Sequence, residues 1–480
     1  MTVVGDSSKI RKESKVVDVL GDRKTPWRSI YVCTFMQFIV GIQISIYYMS
    51  MWPYLSRMDN TASLDFLGWI IASCSFGCSI ANPFFGYWNQ KTMSVKNPTI
   101  FGFVMCAVGQ LLYAFLPLFM SNQKWIMMAS RVITGFGTGS IAVLRAYTAT
   151  AVVPEDKLKA ISYGTAGWVL GISLGPALQA CFTPIGSGWT INDTVLDMYT
   201  LPALVMVVVS IVACPVMYFF LTEEYAGIIN EKDQDANNVT IPKYNMTAAT
   251  VCVWNWVCFN MIATNIEVMS TPMSTAMYGW KDSDSVLYNG IMQSVSCLAS
   301  FVNYFVIGST RIGKIDKRKQ IIFGLSVFIL YHMLTFPWPF FPGPLKYIPE
   351  GKTAMEVGGC DPSYTWCSHS VAVPLPLYAF CFVVLFGLSF PFVGSPSASL
   401  YSEILGPRPQ GMMQGMYSFG GSAAQFVAPI LATMLFKQSG YIWIVIVQLS
   451  FLAMALVLML IFYKQLVPLK VKDADSKGKV

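Results

Sequence analysis

Twelve apolar stretches divide this chain of 480 residues, and they leave it few folds to choose from. Examples run from Ser29 to Tyr54, Thr99 to Met120, Leu201 to Leu221 and Tyr441 to Tyr463. A helix needs roughly 20 apolar residues to cross a hydrocarbon core, and each stretch is long enough. The runs are continuous and not alternating, which excludes a membrane β-barrel. The expected fold is therefore an all-α polytopic membrane protein. Hydrophobic residues make up 54% and charged residues only 12%, too few to cover a soluble protein of this size.

The twelve transmembrane helices are expected at 29–54, 66–88, 99–120, 125–148, 158–184, 199–221, 249–277, 287–309, 320–341, 373–397, 412–436 and 440–464. Charge sorts their connections into two sides. Lys9, Arg11, Lys12, Lys15, Arg23, Lys24 and Arg28 precede the first span. Arg311, Lys314, Lys317, Arg318 and Lys319 crowd one short loop, and more lysines follow Lys464. The positive-inside rule puts these segments in the cytosol. The opposite loops hold only Arg57, Lys124, Lys281, Lys346, Lys352 and Lys437. Both ends are then cytosolic, which an even number of crossings allows. The net charge of +7 reflects this sorting and does not indicate nucleic-acid binding. A polar segment splits the spans six and six. The expected organisation is a cytosolic tail (1–28), a six-helix bundle (29–221), a cytosolic central loop (222–248), a second six-helix bundle (249–464) and a cytosolic tail (465–480).

The two halves share a pattern. Gly167, Gly171, Gly175 and Pro176 in the fifth span match Gly420, Ala424, Ala428 and Pro429 in the eleventh. Residues four apart share a helix face, and small side chains there let helices approach closely in lipid. Each line alone reads as generic helix packing. Pro154 precedes the first by the same interval as Pro407 precedes the second, which favours a duplicated six-helix unit. Parallel repeats of this kind are the plan of major facilitator transporters, whose site lies between the halves.

Motifs support that resemblance. Arg131-Val-Ile-Thr-Gly135-Phe-Gly137-Thr-Gly139 resembles the superfamily's fourth-helix motif. Gly167 to Pro176 resembles its fifth-helix motif, with Leu178-Gln179 where Gly-Gly often stands. Gly86-Tyr-Trp-Asn-Gln-Lys91 occupies the place of the signature loop between helices two and three, without its usual Asp and Arg. More specific strings are Trp52-Pro-Tyr-Leu55, Phe66-Leu-Gly-Trp69, Arg145-Ala-Tyr-Thr-Ala149, the turn from Glu267 to Pro272, and Gly406-Pro-Arg-Pro-Gln-Gly411. These resemble the lysosomal major facilitator family of the neuronal ceroid lipofuscinosis type, from about Trp27 to the twelfth span. The resemblance implies an endolysosomal membrane protein with anion transport or chloride conductance. It also puts helices one, four, seven and ten around a central cavity.

Charges within the spans point to a site. Each costs about 2.5–3.5 kcal/mol on insertion scales, so such residues usually face a cavity or a partner. Arg131 and Arg145 lie fourteen residues apart on nearly one face of the fourth span, and Glu267 lies near the middle of the seventh. Two arginines against one glutamate bias the path towards an anion, and Glu267 is a candidate proton carrier. Arg131 also reads as a brace for helix packing, and Arg145 as a cation snorkelling to the interface. Tyr147 and Gln43 are further polar candidates. Gln37, Tyr47, Gln293 and Asn303 join them, and all six read first as interhelical hydrogen-bonding groups; His332 reads as a core residue. Pro272, Pro391, Gly394 and Pro396 would weaken helices seven and ten at cavity depth.

Other chemistry is not expected. No G-x-x-x-x-G-K loop is present, so nucleotide-driven pumping is not indicated. No His/Cys cluster has metal spacing, and no cofactor is implied. Most of the 12 cysteines lie inside spans as small apolar residues. Cys360 and Cys367 share a long non-cytosolic loop, where a disulfide is expected. Asn192 opens a glycosylation sequon on that side, whereas the sequons at Asn238 and Asn245 are expected to be cytosolic and bare.

The primary functional expectation is a secondary carrier of a small solute, acting as a monomer in the bilayer with a proton as candidate co-substrate. An anion channel on the same fold and a non-transporting sensor or scaffold are the alternatives.

Overall fold

In a computed structural model, the structure describes residues 23–48, 50–59, 64–119, 121–186, 188–191, 194–236, 239–349 and 357–473. Within these, ten helices are long and apolar enough to cross a membrane. Trp27–Ser45 and Lys317–Leu334, the latter opening on three basic residues, bring the spans to twelve. The N-terminal half holds Trp27–Ser45, Leu64–Thr92, Lys96–Ala114, Gln123–Thr150, Lys157–Ala180 and Thr200–Phe220. The C-terminal half holds Met246–Tyr278, Asp282–Ser309, Lys317–Leu334, Leu375–Leu405, Gly411–Ser439 and Tyr441–Ile461. Trp27 and Ile461 lie at one end of the bundle, called here the terminal end; the other is the far end.

The halves repeat in packing. The fifth span packs on the first and the eleventh on the seventh, while the third and sixth pack together as do the ninth and twelfth. Small residues set these distances. A Cβ on Gly171 would stand 2.2 Å from the Phe38 carbonyl oxygen, and Gly167 and Gly175 meet Thr34 and Ser45 as closely. In the eleventh span Gly420 faces Val257 of the seventh, and Ala424 and Ala428 pack on Met261 beside Pro429. The fourth-span glycines serve two neighbours: Gly135 and Gly139 press on Cys74 and Ala81 of the second span, Gly137 on Gly102 of the third.

Several boundaries differ from expectation, each for a local reason. The first span stops at Ser45 and resumes as Met51–Met58. The interruption exposes carbonyls, and Arg131 Nη2 donates to that of Ile44 at 3.1 Å. The fourth span breaks between Thr138 and Ile141, where Gly139 and Ser140 take 3₁₀-type bonds. The ninth ends at Leu334, before Pro337, Pro339 and Pro342. The tenth runs to Leu405, past Pro391 and Pro396, and contains a π-helical turn at Cys381–Leu385. Pro391 cannot donate to the Gly387 carbonyl. Ser300 Oγ (3.1 Å) and Asn303 Nδ2 (3.4 Å) of the eighth span donate to it instead.

The terminal end is sealed. A Cβ on Gly86 would stand 2.6 Å from the Gly411 carbonyl oxygen and 3.0 Å from Gly415 Cα. Met412 N donates to Gln90 Oε1 (3.3 Å), Asn82 Nδ2 to Ser422 Oγ (3.0 Å), and Tyr163 and Ser309 share a hydroxyl bond of 2.8 Å. The loop that lacks the superfamily's usual ion pair thus engages the other half through close backbone approach and an amide. Phe76 meets Phe426 at 5.6 Å near the middle of the bundle. The Asn82–Ser422, Gln90–Met412 and Tyr163–Ser309 bonds and the Tyr163–Phe305 ring contact lie nearer the terminal end.

The central linker and the described residues next to the spans are also tied down at the terminal end. Arg23 reaches Asp233 at 2.8 Å, and its guanidinium holds that carboxyl below the ordinary aspartate range. At the far end, Cys360 and Cys367 are joined by a disulfide with their Cα atoms 6.3 Å apart. Asp197 caps the sixth span through Tyr199 N and Thr200 N, both at 2.9 Å, and pairs with Arg57.

Candidate substrate cleft

Between the halves lies a narrow cleft with a volume of about 20 Å³. Gln37, Arg145 and Thr165 line it from the first half, and Trp256, Gly394 and Tyr417 from the second; no described carboxylate lines it. Trp256 is ten residues into the seventh span, or about 15 Å along its axis, which puts the cleft deep in the bundle.

Arg145 dominates the cleft. Its guanidinium lies over the Trp168 ring, 5.4 Å from the centroid, and over the Trp256 ring at 5.6 Å. Trp168 sits on the fifth span and Trp256 on the seventh, so this cation touches both halves. Among the described residues Arg145 has neither an ion-pair partner nor a hydrogen bond. Ring contacts hold a desolvated guanidinium with about 2 kcal/mol while leaving all five N–H donors free.

Arg131 is held differently. It is 1% exposed, bonds the Ile44 carbonyl and lies over the Tyr47 ring at 5.4 Å. The Tyr47 hydroxyl donates to Gln110 Oε1, Gln110 Nε2 donates to Gln43 Oε1 at 2.6 Å, and Gln43 Nε2 donates to Ser210 Oγ at 2.6 Å. Gln43 is thus part of a buried chain joining the first, third and sixth spans, away from the cleft. Tyr147 also points into the first half, its hydroxyl donating to the Thr222 carbonyl at 2.7 Å.

Glu267 is in a separate place. Its Oε1 accepts from Gln293 Nε2 of the eighth span at 2.9 Å, and its side chain is exposed. Tyr48 of the first half and Cys297 of the eighth span lie within electrostatic range of it, and Arg131 lies within range of Tyr48. No described cation pairs with Glu267. The three charges are therefore not one cluster: Arg145 stands in the cleft, Arg131 inside the first half, and Glu267 in the far-end half of the seventh span. His332 is buried in the ninth span, with neither ring nitrogen bonded to a described residue.

Asn192 and Asn238 fall outside the described residues. Asn245 caps the seventh span, accepting from Ala248 N, and its amide donates to Gln465 at 3.2 Å. Trp168, Trp256 and Tyr417 were not legible as site residues. Tryptophan in membrane proteins favours the interfaces, so an indole at mid-span is the signal that could have found Trp168 and Trp256.

The sequence profile of the Major Facilitator Superfamily matches residues 33–351. The chain is 28% identical over 484 residues to major facilitator superfamily domain-containing protein 8 of Xenopus laevis, covering 95% of this chain and 94% of that one. Among solved structures, the human organic anion transporter MFSD10 superposes with a TM-score of 0.66 at 12% identity, covering 90% of this chain and 99% of that one. The proton:xylose symporter XylE, bound to 6-bromo-6-deoxy-D-glucose, gives 0.61 at 13% identity, covering 94% and 99%. At such identities the two structures speak for the fold alone.

Proposed function

The chain belongs to the major facilitator superfamily, whose members are transporters and not enzymes, and from that premise we propose that it is a secondary carrier of a small anion. It works by alternating access in an endolysosomal membrane, with the terminal end in the cytosol. The observation that carries this reading is Arg145, an unneutralised cation in a cleft lined by both halves and by no described carboxylate. A buried charge without a partner is costly, and an anionic solute would supply the missing one. The closest backbone approaches and the hydrogen bonds between the halves lie towards the terminal end, which favours a site that opens to the far end; rocking the halves about the cleft would expose it to the other.

Glu267 is the group we assign to proton coupling. It lies in the far-end half of the seventh span and has one neutral hydrogen-bond partner. The basic tails and loop support the cytosolic orientation, and the resemblance in specific strings supports the endolysosomal residence.

The test is counterflow in proteoliposomes preloaded with a panel of anions. A carrier shows trans-stimulated uptake, and Arg145→Gln abolishes it. Sustained currents without trans-stimulation would reject the carrier and assign a channel.

A further inference from the structure

We propose that the cleft selects a flat organic carboxylate, bound by the Arg145 fork with its body against Trp256 and Tyr417, over a bare halide. The inference rests on the anion-carrier reading and names its substrate class.

The donors come first. A guanidinium presents N–H groups in one plane, at a spacing that matches the two oxygens of a carboxylate. Ring contacts from Trp168 and Trp256 hold Arg145 while leaving those donors unused. Neutral donors nearby are also unused. Trp256 Nε1 and the Tyr304 hydroxyl are buried without a partner, and Gln37 makes no hydrogen bond to a described residue. Tyr304 reaches this region because residue 394 is glycine: a Cβ there would stand 2.6 Å from the Tyr304 hydroxyl. Buried donors left unsatisfied are destabilising, so their presence around one cleft indicates a ligand with several acceptor positions. A halide has one centre and no plane, and cannot match a fork and outlying donors together.

The walls come second. Trp256 and Tyr417 stack with centroids 4.9 Å apart and planes 18° from parallel. Tyr417 stacks in turn on Tyr401 at 4.7 Å, and Trp256 on Phe259 at 5.3 Å. The Tyr417 hydroxyl is tied to Ser397 Oγ at 3.3 Å, which fixes the ring. Trp256 and Tyr417 are the members of this column that line the cleft, so a planar organic body that enters as the halves part would meet aromatic walls, which contribute nothing to a halide. A ligand between Arg145 and this wall would touch both halves, so binding would bear on their relative position.

Benzoate, benzamide and chloride separate the possibilities on the purified full-length protein in lipid nanodiscs. Binding is read by tryptophan fluorescence and by thermal shift, neither of which requires transport. We expect saturable binding of benzoate, at least about tenfold weaker binding of the neutral isostere benzamide, and chloride competing only at concentrations at least about tenfold higher. Arg145→Gln should lose benzoate binding, and Arg145→Lys should retain a part, having the charge without the fork. Equal competition by chloride, equal binding of benzamide, or unchanged binding by Arg145→Gln would each overturn the proposal. Should the variants fail to fold, the wild-type comparison of the three probes decides alone. Benzoate binding without counterflow of any anion would remove the carrier reading and leave the site. Counterflow of other anions with no benzoate binding would remove only this inference.

Discussion

Gly86→Ala tests whether the seal at the terminal end is made by backbone contact between the halves. The added methyl would stand 2.6 Å from the Gly411 carbonyl oxygen and 3.0 Å from Gly415 Cα, inside the 3.4 Å at which ordinary contact begins. Both neighbours are backbone, so no side chain can swing away. Overpacking of this kind costs about 1–3 kcal/mol. The cost arises only while the halves touch, because the glycines part when the terminal end opens. The substitution should therefore move the balance between states without unfolding the protein. A cost of that size corresponds to about 5- to 150-fold in the equilibrium. Gly68→Ala is the control, since nothing lies within 4 Å of its added carbon. Pulsed electron–electron resonance between labels on non-canonical residues at Lys91 and Lys464 would read the separation of the halves. Gly86→Ala should populate a longer distance, and Gly68→Ala should match wild type. An unchanged distance distribution in Gly86→Ala, with melting temperature also unchanged, would refute the claim that this approach closes the bundle.

Further outcomes follow from the same geometry. Glutamine is isosteric with a protonated carboxyl, so Glu267→Gln should transport at every pH as wild type does in acid, measured as anion flux across a pH series; a retained pH profile would place coupling elsewhere. Gln110→Leu removes two buried bonds and leaves the Tyr47 hydroxyl and Gln43 Oε1 unpaired, so it should destabilise the first half by about 2–4 kcal/mol. Thermal unfolding reads this, and an unchanged midpoint would mean that the chain of bonds does not fix the three spans. The disulfide between Cys360 and Cys367, seven residues apart, should contribute about 2.5 kcal/mol through loop closure. Non-reducing peptide mapping should recover it, and two free thiols would end the claim. Glycosidase treatment should shift wild type and Asn245→Gln but not Asn192→Gln; glycan on Asn245 would invert the topology.

The apolar stretches by themselves determined that the chain crosses a membrane as helices, because segments of that length and hydropathy have little alternative. Short-range spacing also carried the paired lines of small residues in the fifth and eleventh spans, since helix periodicity puts residues four apart on one face. It marked Arg131, Arg145 and Glu267 as costly charges needing a purpose. The tertiary structure alone decided what each charge meets. Arg131 meets a carbonyl freed by the break after Ser45, and that break is a product of packing and not of propensity. Arg145 meets Trp256, 111 residues away and in the other half, through a ring contact that leaves no periodic trace in sequence. The tenth span continues through Pro391 because Ser300 and Asn303 of another helix satisfy the carbonyl that proline abandons. Local chemistry fixes which groups are expensive to bury; only the assembled halves decide which of them stay unpaired, and the proposed site rests on that unpaired charge at Arg145.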